Sequence, residues 1–143
     1  MFTGEFQYNM DDKGRVAIPA KMREKLGETF MVTKGFEGCL FVYPMEAWEA
    51  LDQKLRSLPF TQREARQFNR FFYASSLEAS SDKQGRIVIP ANLREHAGLV
   101  KEVSIIGVGE RIEIWDTARL DATLDETADA YEDLAERLTE RML

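Results

Sequence analysis

Two carboxylates and two guanidiniums recur in this chain at one spacing: Asp11 with Arg15, and Asp82 with Arg86. Asp favours turns through its side-chain hydrogen bonds and Gly supplies positive φ, so the Gly14 or Gly85 between the two residues makes D-x-x-G a hairpin turn in both places. Such a pair can do one of two things. The ion pair can fasten the turn, an exposed interaction of small energetic weight. Alternatively, the Asp can hold an outward Arg whose planar fork meets a phosphate or the edge of a guanine.

Little else in the chain could do chemistry. The single histidine, His96, sits on a short helical stretch far in sequence from the single cysteine, Cys39, and from any activated nucleophile. No CxxC, HExxH or phosphate-cradling Gly loop occurs, so no metal site, cofactor or enzymatic activity is expected. Cys39 reads as a packing residue. A lone cysteine excludes an internal disulfide and fits a reducing cytoplasm.

The paired residues belong to a longer repeat. D-D-K-G-R-V-A-I-P-A-K-M-R-E from Asp11 returns as D-K-Q-G-R-I-V-I-P-A-N-L-R-E from Asp82, in register at 71 residues through Glu24 and Glu95. After each turn comes a short strand, with Val16 and Ile18, or Ile87 and Ile89, expected on its inner face. Arg15 and Arg86 then face outward. Pro19 and Pro90 suit the first position of a helix, Met22 with Leu26 and Leu93 with Ala97 mark its inner side, and Gly27 and Gly98 stop it.

The rest of the chain follows the same plan. Phe6, Tyr8 and Met10 alternate with polar residues, which predicts a half-buried strand pairing with residues 15–18. Residues 30–34 and 39–43 predict a second hairpin, with its twin at 103–106 and 111–115. The spacing there reads as 72, implying one residue inserted after Gly98. Pro44 opens a helix striped by Trp48, Leu51, Leu55 and Leu58, and Pro59 ends it. Thr61 to Glu64 forms a capping-box pattern ahead of a helix with Ala65, Phe68, Phe71 and Phe72 on one side and Arg63, Arg66 and Arg70 on the other. That pattern reads as core plus solvated face. Asp116 is a candidate N-cap for a final helix whose Leu124, Ala128, Tyr131, Ala135, Leu138 and Met142 form a heptad seam, either folded back on its own body or docked on a neighbouring subunit.

A net charge of −6 argues against nucleic acid until it is divided. Residues 121–143 hold eight acids and two bases, which leaves 17 of each in residues 1–120. The body is therefore neutral, and Lys13, Arg15, Lys21, Arg23 and Lys25 form a modest basic patch on it. The second copy has Gln84, Asn92 and His96 where the first has Lys13, Lys21 and Lys25, so Arg15 is expected to contribute more than Arg86. The opening Met1-Phe-Thr-Gly-Glu has no leader pattern, and no apolar run approaches spanning length. Two modules of about 70 residues are each small enough to need the other for stability.

The D-x-K-G-R-x-x-I-P-x-x-x-R-E motif, followed by a second D-x-x-G-R-I-x-I-P-x-x-L-R copy and later by the Ile112 to Trp115 I-E-I-W sequence, resembles the MraZ family of bacterial transcriptional regulators, over essentially the whole chain, with Gln84 a departure from the lysine of the first copy. The resemblance implies an α+β fold: two tandem AbrB-like β-hairpin/helix/β-hairpin repeats, residues 1–72 and 73–143, forming a pseudo-symmetric β-barrel with flanking helices. It implies DNA binding by the D-x-x-x-R pairs. The candidate set is Asp11, Lys13, Arg15, Lys21 and Arg23 in the first copy and Asp82, Lys83, Arg86 and Arg94 in the second. Further implications are a ring-shaped homo-oligomer, a target in the promoter of the division and cell-wall operon read as direct repeats, and a nucleoid-associated cytoplasmic location. The alternative is an antitoxin-like interaction scaffold whose acidic tail meets a basic partner.

Overall fold

The doubled sequence folds into a doubled order of elements, seen in a computed structural model that describes residues 1–142. The first copy supplies β1 (Glu5–Asn9), β2 (Arg15–Ala17), α1 (Ala20–Leu26), β3 (Phe30–Lys34) and β4 (Leu40–Pro44), then α2 (Met45–Arg56) and α3 (Arg63–Ala74). The second supplies β5 (Leu77–Ala79), β6 (Arg86–Val88), α4 (Ala91–Ala97), β7 (Glu102–Gly107) and β8 (Ile112–Asp116), then α5 (Thr117–Ala128) and α6 (Tyr131–Met142). The class is α+β, as expected.

The strands of the two copies are interleaved. One antiparallel sheet runs β1-β7-β8-β4-β3-β5, and β2 pairs with β6 in a separate two-stranded ribbon. Replacing every strand by its twin turns the order β1-β7-β8-β4-β3-β5 into its own reverse, which is pseudo-two-fold symmetry. The expected pairing of β1 with residues 15–18 is therefore wrong. Asn9 lies opposite Glu102 and Phe6 opposite Ile105, while Val16 lies opposite Ile87. The exchange sets the inward faces of the two short strands against each other, and Val16, Ile18, Ile87 and Ile89 are all almost fully buried. Burying each such side chain stabilises the fold by roughly 1.5–3 kcal/mol.

Register also corrects the spacing. Val32 pairs with Leu77 and Ile105 with Phe6, so Val32 and Ile105 are equivalent places, 73 residues apart. In β4 and β8 the spacing is 72, since Leu40 lies opposite Ile114 and Val42 opposite Ile112. Two residues were thus added after the second copy's helix, and one was lost from the turn between β7 and β8.

The main core lies between the sheet and the ribbon with α1 and α4; it includes Met22, Leu26, Phe30, Leu93 and Ile114. A second, aromatic cluster of Cys39, Phe41, Tyr43, Trp115 and Leu120 covers the opposite face under Trp48 and Leu51 of α2. Leu40 to Tyr43 and Ile112 to Trp115 are consequently buried on both faces, which explains their unbroken apolar character apart from Glu113. Glu113 is held there by Arg111 at 2.6 Å and by the Trp115 indole at 3.0 Å. Trp48 stacks on Phe72 at 5.6 Å, joining α2 to α3, and the Thr33 hydroxyl donates to the Phe72 carbonyl at 3.2 Å, joining α3 to β3.

Several local expectations change. Phe6 is exposed, so only Tyr8 and Met10 of the β1 pattern turn inward. Pro19 and Pro90 precede their helices as N-caps rather than entering them. Thr61 forms no capping box: α3 is capped at Gln62 and no side chain accepts there. Asp116 does cap α5, its carboxylate accepting from the Arg119 N–H at 3.0 Å. The final helix is two helices, broken at Asp129 and Ala130, and every residue from Tyr131 to Arg141 is exposed. Of the proposed seam, Met142's side chain lies outside the described residues.

Candidate nucleic-acid interface

Each D-x-x-x-R turn is built by its own aspartate. Oδ1 of Asp11 accepts the N–H groups of Lys13 at 3.0 Å and Arg15 at 2.8 Å, and Oδ2 accepts from Arg15 Nε at 2.6 Å. Asp82 repeats this with the N–H groups of Gln84 and Arg86, both at 2.9 Å, and with Arg86 Nε at 3.0 Å. The backbone closes each turn as well, with the Gly14 N–H donating to the Asp11 carbonyl and the Gly85 N–H to that of Asp82. Gly14 and Gly85 have φ near +80°, a left-handed conformation that costs a side-chain-bearing residue energy. The Arg15 N–H is the foremost reason the Asp11 carboxyl lies below its ordinary range, and the Arg86 N–H does the same for Asp82.

Because Nε is the nitrogen that each arginine spends on its aspartate, the terminal Nη groups are left to face outward. Arg15 Nη1 and Nη2 make no protein hydrogen bond among the described residues. The ribbon brings the two turns together: Arg15 lies opposite Val88 and Arg86 opposite Ala17, so both arginines share its outer face. Arg86 Nη1 reaches to 3.9 Å from Asp11 Oδ2, which links the two pairs into one four-residue cluster. Val88 is 59% exposed on the same face, an apolar surface between two guanidiniums. Lys13, Lys21 and Lys83 are all exposed.

Arg23 and Arg94 are placed differently. Arg23 Nη1 donates to the Ile18 carbonyl at 2.6 Å, and Arg94 Nη1 donates to that of Ile89. Each guanidinium also lies across a glycine of the other copy's turn, Arg23 against Gly85 and Arg94 against Gly14. The Ile18 N–H bonds the Gly85 carbonyl at 3.0 Å and the Ile89 N–H bonds that of Gly14 at 2.8 Å. Arg23, expected beside Arg15, therefore lies against the second turn, and Arg94 against the first. The glycines' second role, as seats for arginines of the opposite copy, was missed. The signal available for it was the shared 71-residue register of glycine and arginine.

The turns themselves differ in charge. Asp12 in the first is Lys83 in the second, and Lys13 is Gln84. With their paired Asp and Arg, the first turn is neutral and the second carries one net positive charge. Elsewhere Cys39 is buried, its thiol pushed up by burial above all and then by the Glu113 charge. His96 Nε2 is 3.2 Å from the Gly35 carbonyl. Among the described residues no three His, Cys, Asp or Glu side chains gather as a metal site, and no helix is long and apolar enough to cross a membrane.

A sequence model of the family described as "MraZ protein, putative antitoxin-like" matches residues 1–71 and again residues 72–142. The "Transcriptional regulator MraZ" of Pelotomaculum thermopropionicum is 60% identical over 115 residues, 80% of this chain and 79% of that protein. Those of Heliobacterium modesticaldum and Acetivibrio thermocellus are each 57% identical, covering 83% and 85% of both partners respectively.

Proposed function

The chain belongs to the MraZ family of transcriptional regulators, and on that premise we propose that it binds double-stranded DNA through the β2–β6 ribbon. The observation that carries this reading is the use of Nε, on both arginines, as the tether to aspartate. That arrangement fixes the guanidinium while keeping its paired Nη groups for a ligand, the geometry suited to a phosphate or to guanine O6 and N7. B-DNA's major groove admits a two-stranded ribbon. Arg15 and Arg86 reach the DNA; Lys13, Lys21 and Lys83 neutralise phosphates; Asp11 and Asp82 position the arginines; Arg23 and Arg94 brace the turns.

A neutral body with one small basic face gathers few phosphates and binds weakly alone. Several copies joined in a ring, engaging spaced direct repeats at a promoter such as that of the division and cell-wall operon, would multiply weak contacts by avidity. The protein would then work in the cytoplasm at the nucleoid. A second reading, an interaction scaffold, is favoured by the exposed acidic α6.

The deciding experiment titrates promoter DNA at fixed salt with the parent protein, Arg15→Ala and Arg86→Ala, alongside a melting curve for each. Each substitution is expected to weaken binding by about 1–3 kcal/mol, roughly 5- to 150-fold, with melting close to the parent's. Binding lost only in step with stability would make the cluster a turn fastener. A parent protein not retained on DNA at low salt would leave the scaffold.

A further inference from the structure

The two halves of the chain treat one position in opposite ways. In the second half the Arg119 side chain reaches from α5 to the end of α4, where Nη1 donates to the Gly38 carbonyl at 2.8 Å and to the His96 carbonyl at 3.4 Å. Its guanidinium lies across Gly38 and Gly98, and a Cβ on either glycine would meet it. The last carbonyls of a helix lack partners within it, and a cationic side chain is a common way of satisfying them.

Register locates the same seat in the first half. At the helix spacing of 71, His96 and Gly98 correspond to Lys25 and Gly27. At the β4–β8 spacing of 72, which also separates the starts of α2 and α5, Gly38 corresponds to Glu110 and Arg119 to Ala47. A guanidinium in one half is a methyl group in the other. A cleft of about 710 Å³ lies there, lined by Lys25, Ala47, Ala50 and Glu110. A Cβ on Gly27, unlike one on its twin Gly98, would meet nothing within 4 Å among the described residues. The remaining wall is held in place: Phe2 is buried and exchanges two backbone hydrogen bonds with Gly109, at 2.8 and 2.9 Å, and the Lys25 ammonium donates to the Met1 carbonyl at 2.8 Å.

We propose that this cleft binds a small guanidinium compound with an aliphatic stem, the chemistry that its twin takes from Arg119. The fork donates to the carbonyls of Lys25 and Glu110 as Arg119 donates to those of His96 and Gly38, and the stem lies along Ala47 and Ala50. The Glu46 and Glu110 carboxylates balance Lys25 and the Met1 amine around the cleft, so no excess of positive charge bars a cation. Its volume falls in the range of small-ligand sites. The cleft shares no residue with the outer face of the β2–β6 ribbon, and the proposal is independent of the DNA reading.

The test titrates n-butylguanidinium into the full chain by calorimetry, with n-butylammonium as the probe of charge without the fork and a melting curve for each mixture. The parent should bind one butylguanidinium per chain and melt higher as the site fills, with butylammonium bound about tenfold more weakly. Ala47→Arg, which fills the seat from within, should bind none and melt above the parent. Ala47→Met fills the cleft without a charge and should also bind none, so the outcome does not hang on how the new arginine settles. Arg119→Ala empties the second seat: it should melt below the parent, bind two butylguanidiniums per chain and recover its melting temperature as they bind. Butylammonium bound as tightly as butylguanidinium, an Ala47→Met variant that binds as the parent does, or a single site in Arg119→Ala would each overturn the proposal. So would a parent silent to the free compound, even if an arginine of another chain seats there.

Discussion

The Arg94 guanidinium stands over Gly14, where any side chain larger than hydrogen would meet it. Gly14 also has φ +79°. Gly14→Ala therefore incurs both backbone strain and a clash with a bracing arginine. A loss of about 1–3 kcal/mol is expected from the backbone alone, read from urea unfolding midpoints; an unchanged midpoint would refute the seating.

Arg23 and Arg94 should behave as stability residues. Each makes a charge-assisted hydrogen bond to a half-buried carbonyl, worth about 1.5–3 kcal/mol. Arg23→Ala and Arg94→Ala should lower the melting temperature, whereas Arg15→Ala and Arg86→Ala should lower DNA affinity first. The four variants thus separate braces from contacts in one set of melts and titrations.

Asp12 offsets Lys13 in the first turn while Lys83 is unopposed in the second, which counts against the expected advantage of Arg15 over Arg86. Both arginines belong to one cluster, and the second turn carries the greater net charge. Their alanine variants should weaken DNA binding to within about threefold of each other, or ~0.7 kcal/mol. Gln84→Lys should strengthen binding and steepen its salt dependence by about one phosphate contact. No change in that slope would place the second turn away from the DNA backbone.

Acid should act on the turns through their aspartates. Both carboxyls lie below their ordinary range when folded, so their stabilisation is fully present above the unfolded aspartate pKa and is lost as pH falls through the depressed folded value. From pH 7 to 5 they should contribute no change in stability. Below about pH 4 the parent should lose stability faster than an Asp11→Asn, Asp82→Asn variant, measured by unfolding at each pH.

Cys39 should be unreactive in the native protein. It is fully buried, and burial disfavours the thiolate that attacks disulfide reagents. Labelling is expected to proceed only through opening of the fold and to accelerate with denaturant. Rapid stoichiometric labelling without denaturant would contradict the packing of the aromatic cluster.

What the sequence discloses here is local. The inward set of Val16, Ile18, Ile87 and Ile89, the hairpins β3–β4 and β7–β8, and the Asp-built turns follow from alternation and turn chemistry. Partner choice does not. With two similar copies, Val16 could face a strand of its own copy or Ile87 of the other with similar chemistry, and only the three-dimensional closure distinguishes them. For the same reason Arg23 looked like a neighbour of Arg15 when it braces Gly85. The three-residue β5 had too few residues to show a period, and the break at Asp129 interrupts a seam whose spacing alone gives no sign of it.

Interleaving also constrains how the protein comes into being. During synthesis, Glu5–Asn9 leaves the ribosome long before its partner strand Glu102–Gly107, and Arg15–Ala17 waits for Arg86–Val88. A nascent chain halted after the first copy would expose β1, β2 and the free sides of β3 and β4, the edges that a second copy of the same repeat could fill. A single unfused repeat should therefore exist as an exchanged homodimer, and the present chain as that dimer joined end to end in one gene.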